Sequence, residues 1–86
     1  MQFEWNDAKS ASNKIKHGID FNEAKALWED YNRVEILINS DGEQRYLTIG
    51  LINNKHWTAV ITYRKQAIRL ISVRRSRTDE VMIYEN

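Results

Sequence analysis

The 86-residue chain has no cysteine, no proline and only three glycines. Without cysteine there is no disulfide framework, no thiolate nucleophile and no thiolate metal ligand. The absence of proline and of any low-complexity stretch or internal repeat leaves no linker at which to divide the chain. The only histidines, His17 and His56, stand far apart and lack metal-ligand spacing, so neither metal nor other cofactor is expected. No apolar run approaches the roughly 18 residues that would cross a membrane, and no signal-peptide pattern opens the chain. A cytoplasmic protein folding as one domain over residues 1–86 is the expectation, with a small core and modest stability.

The formal net charge of +1 hides an asymmetry. Residues 1–43 carry five Lys/Arg against nine Asp/Glu, and residues 44–86 carry eight against three. Within 62–77, Arg64, Lys65, Arg69, Arg74, Arg75 and Arg77 occur with no acid between them. Such a run is often a solvated face, but it is also the composition of a phosphate-binding field.

The hydrophobic period changes near residue 34. Before it, Asn6 or Asp7 can cap a helix through "AKSASNKIKH", with Ala8, Ala11 and Ile15 as its apolar stripe and Gly18 just past its end. Asp20 followed by Glu23 has the spacing of a capping box for a second helix, which places Phe21, Ala24, Leu27, Trp28 and Tyr31 on one face. The segment "FEW" (3–5) reads equally as a short edge strand or a packed arm, and Trp5 as a core anchor or a partner contact. After Val34 the period is two. The runs 34–39, 44–52, 57–64 and 67–74 are strand-length and separated by hairpin-length connections, of which Asp41-Gly42 is the strongest turn signal. Ser76 or Thr78 can then cap a short terminal helix bearing Val81, Met82 and Tyr84. The fold class is α+β, with two N-terminal helices packed on a four-stranded antiparallel meander and the helices on one face.

Strict alternation along the last strand sends Arg69, Ile71, Val73 and Arg75 one way and Ile68, Leu70, Ser72 and Arg74 the other. In a meander, Arg45, Tyr46 and Arg64 should meet at one end of the sheet. Arg74 and Arg75 join them only through sheet twist or the terminal helix. Singly, each arginine is best explained as a charge that discourages edge-to-edge pairing. Together they suit phosphate, since guanidinium groups bind it bidentately and neighbouring tyrosines can stack on unpaired bases. His17 ends "NKIKHG", where the helix dipole alone would justify an imidazolium, and where a proton-transfer role is equally open. His56 reads as a surface residue, Glu23 as a cap and Trp28 as core.

The motifs "FEWN-x-A-K", "KHGIDF", "RYLTIG" and the arginine-rich "IRLISVRR" leading to Tyr84 occur in the order found in BrnT-type toxins of bacterial type II toxin–antitoxin systems. The chain resembles that family over nearly its whole length, with Ser76 a departure from its pattern. The resemblance implies a RelE/ParE-like toxin fold and a metal-independent endoribonuclease that arrests translation. It implies neutralisation by a DNA-binding, BrnA-like antitoxin, through which alone the toxin reaches operator DNA, in a heterotetramer containing a toxin dimer. Matched to the family's basic positions, Arg64, Arg74 and Arg75 are the expected phosphate-binding and transition-state residues. His17 and Lys14 are expected proton-transfer candidates, and Arg45, Tyr46, Arg77 and Tyr84 expected substrate contacts. A non-catalytic nucleic-acid-binding module, a gyrase-type poison of the same fold and a decayed toxin are the competing readings.

Overall fold

The computed structural model describes residues 1–38 and 42–86. Asn39, expected at a strand end, and Asp41 of the expected turn lie outside the described residues. The period of two after Val34 resolves into β2 (Val34–Ile38), β3 (Arg45–Ile52), β4 (Lys55–Arg64) and β5 (Ala67–Arg75). These pair antiparallel in chain order. The two-residue hairpin between β3 and β4 turns on Asn53 and Asn54 at φ 51° and 64°. Asparagine tolerates the positive φ that a two-residue turn of this hand requires at both positions.

The sheet has five strands, not the expected four. β1 (Gln2–Glu4) adds to β5 in parallel, with Phe3 opposite Ile68, giving the order β1-β5-β4-β3-β2 in a mixed sheet. Contacts beyond the backbone hold this short strand. Phe3 meets Trp28 edge-on at 5.1 Å, and Glu4 pairs with Arg69 at 3.0 Å. Of the two readings of residues 3–5, the edge strand is correct.

α1 (Asp7–His17) is capped by the Asn6 side chain and stopped by Gly18, whose φ of 81° is left-handed. Its buried face is not the apolar stripe. Ile15 is 89% exposed, Ala8 and Ala11 are exposed, and Asn13 is the residue that goes inside. The reason is an unpaired strand edge. β1 covers β5 only as far as Arg69, so Val73 has no strand partner on that side. The Asn13 amide takes its place, donating to the Val73 carbonyl at 2.9 Å and accepting from the Val73 N–H at 3.2 Å. It also donates to the Ile19 carbonyl at 2.8 Å, and Ser10 Oγ accepts from Phe21 N–H. The need to satisfy buried backbone groups outweighs the hydrophobic period here.

The expected second helix is one α-turn, α2 (Phe21–Ala24), continued by a 3₁₀ helix over Lys25–Glu29. The Asp20–Glu23 capping box forms in both directions. Phe21, Ala24 and Leu27 are buried and Trp28 half-buried, whereas Tyr31 lies beyond the helix and is fully exposed. Gly50 lets this segment approach β3, since a Cβ there would sit 3.1 Å from a Leu27 methyl.

Register along β5 breaks once. Val60 pairs with Ser72 and Ile61 with Leu70, leaving Ile71 as an unpaired bulge residue. The extra residue puts Ile68, Leu70 and Val73 together in the core with Ala59 and Ile61, beneath Ile19, Phe21, Ala24 and Leu27. This corrects the face assignment from strict alternation. Arg75 shares the face of α1 and α2, opposite Trp57, and Arg74 shares the other face, opposite Thr58. α3 (Thr78–Glu85) packs on that second face through Glu80, which accepts from the Thr58 hydroxyl at 3.0 Å. The helices therefore lie on both faces. The N-cap of α3 is Arg77, in place of the expected Ser76 or Thr78, and its buried residue is Glu80.

Candidate nucleic-acid interface

The structure distributes the expected site residues over three places. Arg45, Tyr46 and Arg64 meet at one end of the sheet, as the meander requires: Tyr46 pairs with Ile61, and Arg64 ends β4. There Tyr46 and Tyr63 form an edge-to-face pair at 5.3 Å, and the Tyr63 hydroxyl donates to Glu35. Burial, reinforced by that carboxylate, pushes the Tyr63 phenol up to about 12. Arg64 donates through Nε and Nη2 to Glu43 at 3.0 and 3.3 Å.

Arg74, Arg75 and Arg77 lie at the opposite end. Arg74 pairs with Thr58, six residues before Arg64 on the same strand, which corresponds to about 20 Å. Neither sheet twist nor α3 brings the two groups together. The sheet faces then divide this second end.

On the α3 face, Arg74 sets Nη1 and Nη2 on the two oxygens of Glu80, each at 2.8 Å. The Arg74 bond holds the Glu80 carboxyl down at about 2 against its burial, helped by the Arg77 N–H and the Thr58 hydroxyl. His56 Nε2 lies 2.7 Å from Glu85, and its ring stands edge-on to Tyr84 at 5.3 Å. The Tyr84 hydroxyl donates to Asp30 at 2.6 Å, a bond that drives the phenol up to about 12. Burial pushes the Asp30 carboxyl up, but hydrogen bonds from Tyr84, Leu51 N–H and Asn32 N–H bring it below its ordinary value. Arg74, Tyr84 and His56 are thus all engaged in tying α3 to the sheet. The Arg77 side chain is exposed and forms no ion pair among the described residues.

On the α1 face the picture differs. The Arg75 guanidinium lies 5.5 Å from the centre of the Trp57 ring, and its Nε donates to the His56 carbonyl at 3.2 Å. Among the described residues it forms no ion pair. Trp57 also lines an open cleft of about 420 Å³, walled by Gly18 and Ile19 from the connection between α1 and α2, by Glu23 and Ala26 from the helical turns that follow, and by Ile52, Asn53 and Lys55 from the hairpin. His17 immediately precedes Gly18 and is half-buried one turn beyond Asn13 on the inward face of α1. Lys14 Nζ holds both oxygens of Glu23, at 2.8 and 3.1 Å, on the cleft wall. The pairing raises the lysine pKa, chiefly through the Glu23 hydrogen bond, and lowers that of the carboxyl. Trp57 and Lys55 thus line this cleft, and Arg75, His17 and Lys14 adjoin its lining through Trp57, Gly18 and Glu23 in turn.

A family model described as "Ribonuclease toxin, BrnT, of type II toxin-antitoxin system" matches residues 5–80. The chain belongs to the BrnT family. Membership in a type II toxin family implies a protein antitoxin as partner. A comparison with curated proteins gives no match. The residues that tie this BrnT chain together at its arginine-rich end, Glu80, His56 and Asn13, were not singled out as site or core residues from the sequence, nor was Trp57. Trp57 had a signal, standing in "KHW" with two polar neighbours. The role of Asn13 depends on a strand edge that no local pattern reveals. Among the described residues, no group of three His, Asp or Glu side chains could hold a metal ion, and no helix is long and apolar enough to cross a membrane.

Proposed function

We propose that this BrnT chain cleaves RNA at the α1-face concavity, with Arg75 holding the scissile phosphate. The observation that carries the reading is Arg75 itself, an exposed guanidinium without an acid partner among the described residues, beside an aromatic ring that lines a cleft. A fork of N–H donors at that point matches two phosphate oxygens and stabilises the charge that develops as phosphorus becomes five-coordinate. The RNA's own 2′-hydroxyl attacks the adjacent phosphorus and the bond to the 5′-oxygen breaks. The 2′-proton passes to a base and the leaving oxygen takes a proton, giving a 2′,3′-cyclic phosphate and a 5′-hydroxyl end. No metal is required for this balance. His17 is the proton-transfer group on the correct face, with Lys14 a neighbouring cation.

Arg74 serves in this account as a positioning residue, fixing the end of β5 through Glu80. Tyr84 does the same through Asp30. Arg77 and Lys55 extend the phosphate field. Arg64, Arg45 and Tyr46, about 20 Å away along β4, bind a more distant part of the RNA strand. We assign the α+β arrangement to the RelE/ParE-like toxin fold, a reading supported by the family membership. The toxin acts in the cytoplasm by arresting translation, and a BrnA-like, DNA-binding antitoxin covers the site in a heterotetramer built on a toxin dimer.

Expression in bacteria with total RNA followed over time tests the reading. Growth arrest with RNA loss, both abolished by Arg75→Ala, is expected. Arrest with intact RNA and induced DNA damage would instead favour a gyrase poison, and salt-sensitive RNA binding without cleavage a non-catalytic module.

A further inference from the structure

We propose that the cleft beside Trp57 is a subsite for one unpaired nucleobase of the RNA, adjacent to the phosphate at Arg75; this rests on the ribonuclease reading above. Its volume, about 420 Å³, is within the range of small-ligand sites. Its chemistry is divided in the way a base requires. Ile19, Ala26 and Ile52 supply apolar surface, Trp57 an aromatic wall, and Glu23, Asn53 and Lys55 polar groups. An inorganic anion would have no use for the apolar walls, and a metal ion would find one carboxylate.

The polar groups suit the edge of a base. Glu23 Oε1 accepts from Lys14 and from the Asp20 N–H, whereas among the described residues Oε2 accepts only from Lys14, so the carboxylate keeps capacity for a base N–H. Lys55, which forms no ion pair among the described residues, donates to a ring nitrogen or carbonyl. The wall is rigid where it must be: the capping box fixes Glu23, and Asn53 is held in a two-residue turn. The ring that lines the cleft is the one 5.5 Å from the Arg75 guanidinium, so base and phosphate of a single nucleotide reach both. Only an unpaired strand can offer a base to such a slot.

The test is an NMR titration of the purified, isotope-labelled chain with adenosine 3′-monophosphate and, separately, inorganic phosphate. Both are expected to shift the Arg75 signals, and only the nucleotide to shift the Trp57 indole N–H and the Gly18 and Asn53 amides. Ala26→Leu, which fills the cleft, should weaken nucleotide binding about tenfold while leaving phosphate binding unchanged. Nucleotide shifts confined to Arg75, or undiminished binding by a folded A26L chain, would overturn the base subsite and leave the phosphate site standing. Failure of either ligand to move Arg75 would overturn both. The wild-type titration decides between these results even where A26L does not fold.

Discussion

Arg74 and Glu80 join the last strand to the last helix through two parallel hydrogen bonds of 2.8 Å each. The glutamate side chain is 7% exposed and the arginine 23%, so the pair is largely withdrawn from solvent. Arg74→Ala leaves a buried carboxylate without its counter-ion and should cost about 2–4 kcal/mol in urea unfolding. Replacing both partners with methionine and leucine should recover most of the loss. An unchanged urea midpoint for Arg74→Ala would show that the pair does not hold α3.

The same pair sets an acid limit. Glu80 titrates at about 2 in the fold against an ordinary 4.5, because Arg74 favours its charged form. The unfolded chain therefore binds this proton more readily. The stabilisation is complete above about 4.5 and is lost as pH falls toward about 2, on the order of 3 kcal/mol in all. Stability measured across that window should fall steeply in the wild type and less steeply in Glu80→Gln. Parallel curves would assign acid sensitivity to other carboxylates.

Asn13 and Ile15 offer a direct contest between hydrogen bonding and hydrophobic period. Asn13→Ala strands the Val73 N–H and carbonyl and the Ile19 carbonyl, and should destabilise by about 2–4 kcal/mol. Ile15→Ser, at a position 89% exposed, should change stability by less than about 0.5 kcal/mol. Thermal or urea unfolding of the two variants checks both, and the reverse order would contradict the packing of α1.

What the sequence made legible follows from the range of the interactions involved. The four meander strands, the Asp20–Glu23 capping box and the Gly18 stop are encoded by neighbours, and each forms as expected. Local pattern offered β1 only as one of two readings, because its parallel pairing depends on distant Ile68, and the inward turn of Asn13, set by Val73 60 residues away, has no local signature. The bulge at Ile71 has the largest consequence for the site. One extra residue in β5 exchanges the faces of the residues beyond it, so Arg74 goes to α3 and Arg75 to Trp57. In the sequence the two arginines look equivalent. In the fold one is bound to a glutamate and the other has no acid partner among the described residues.

The most direct measurement is cleavage of an end-labelled single-stranded RNA by the purified chain in the presence of a chelator, with Arg75→Ala and Arg64→Ala compared side by side. The account predicts products ending in 2′,3′-cyclic phosphate, a loss of about 100-fold or more for Arg75→Ala, and a smaller, salt-dependent loss for Arg64→Ala. Full activity in Arg75→Ala alongside its loss in Arg64→Ala would move the reaction to the other end of the sheet and contradict the account.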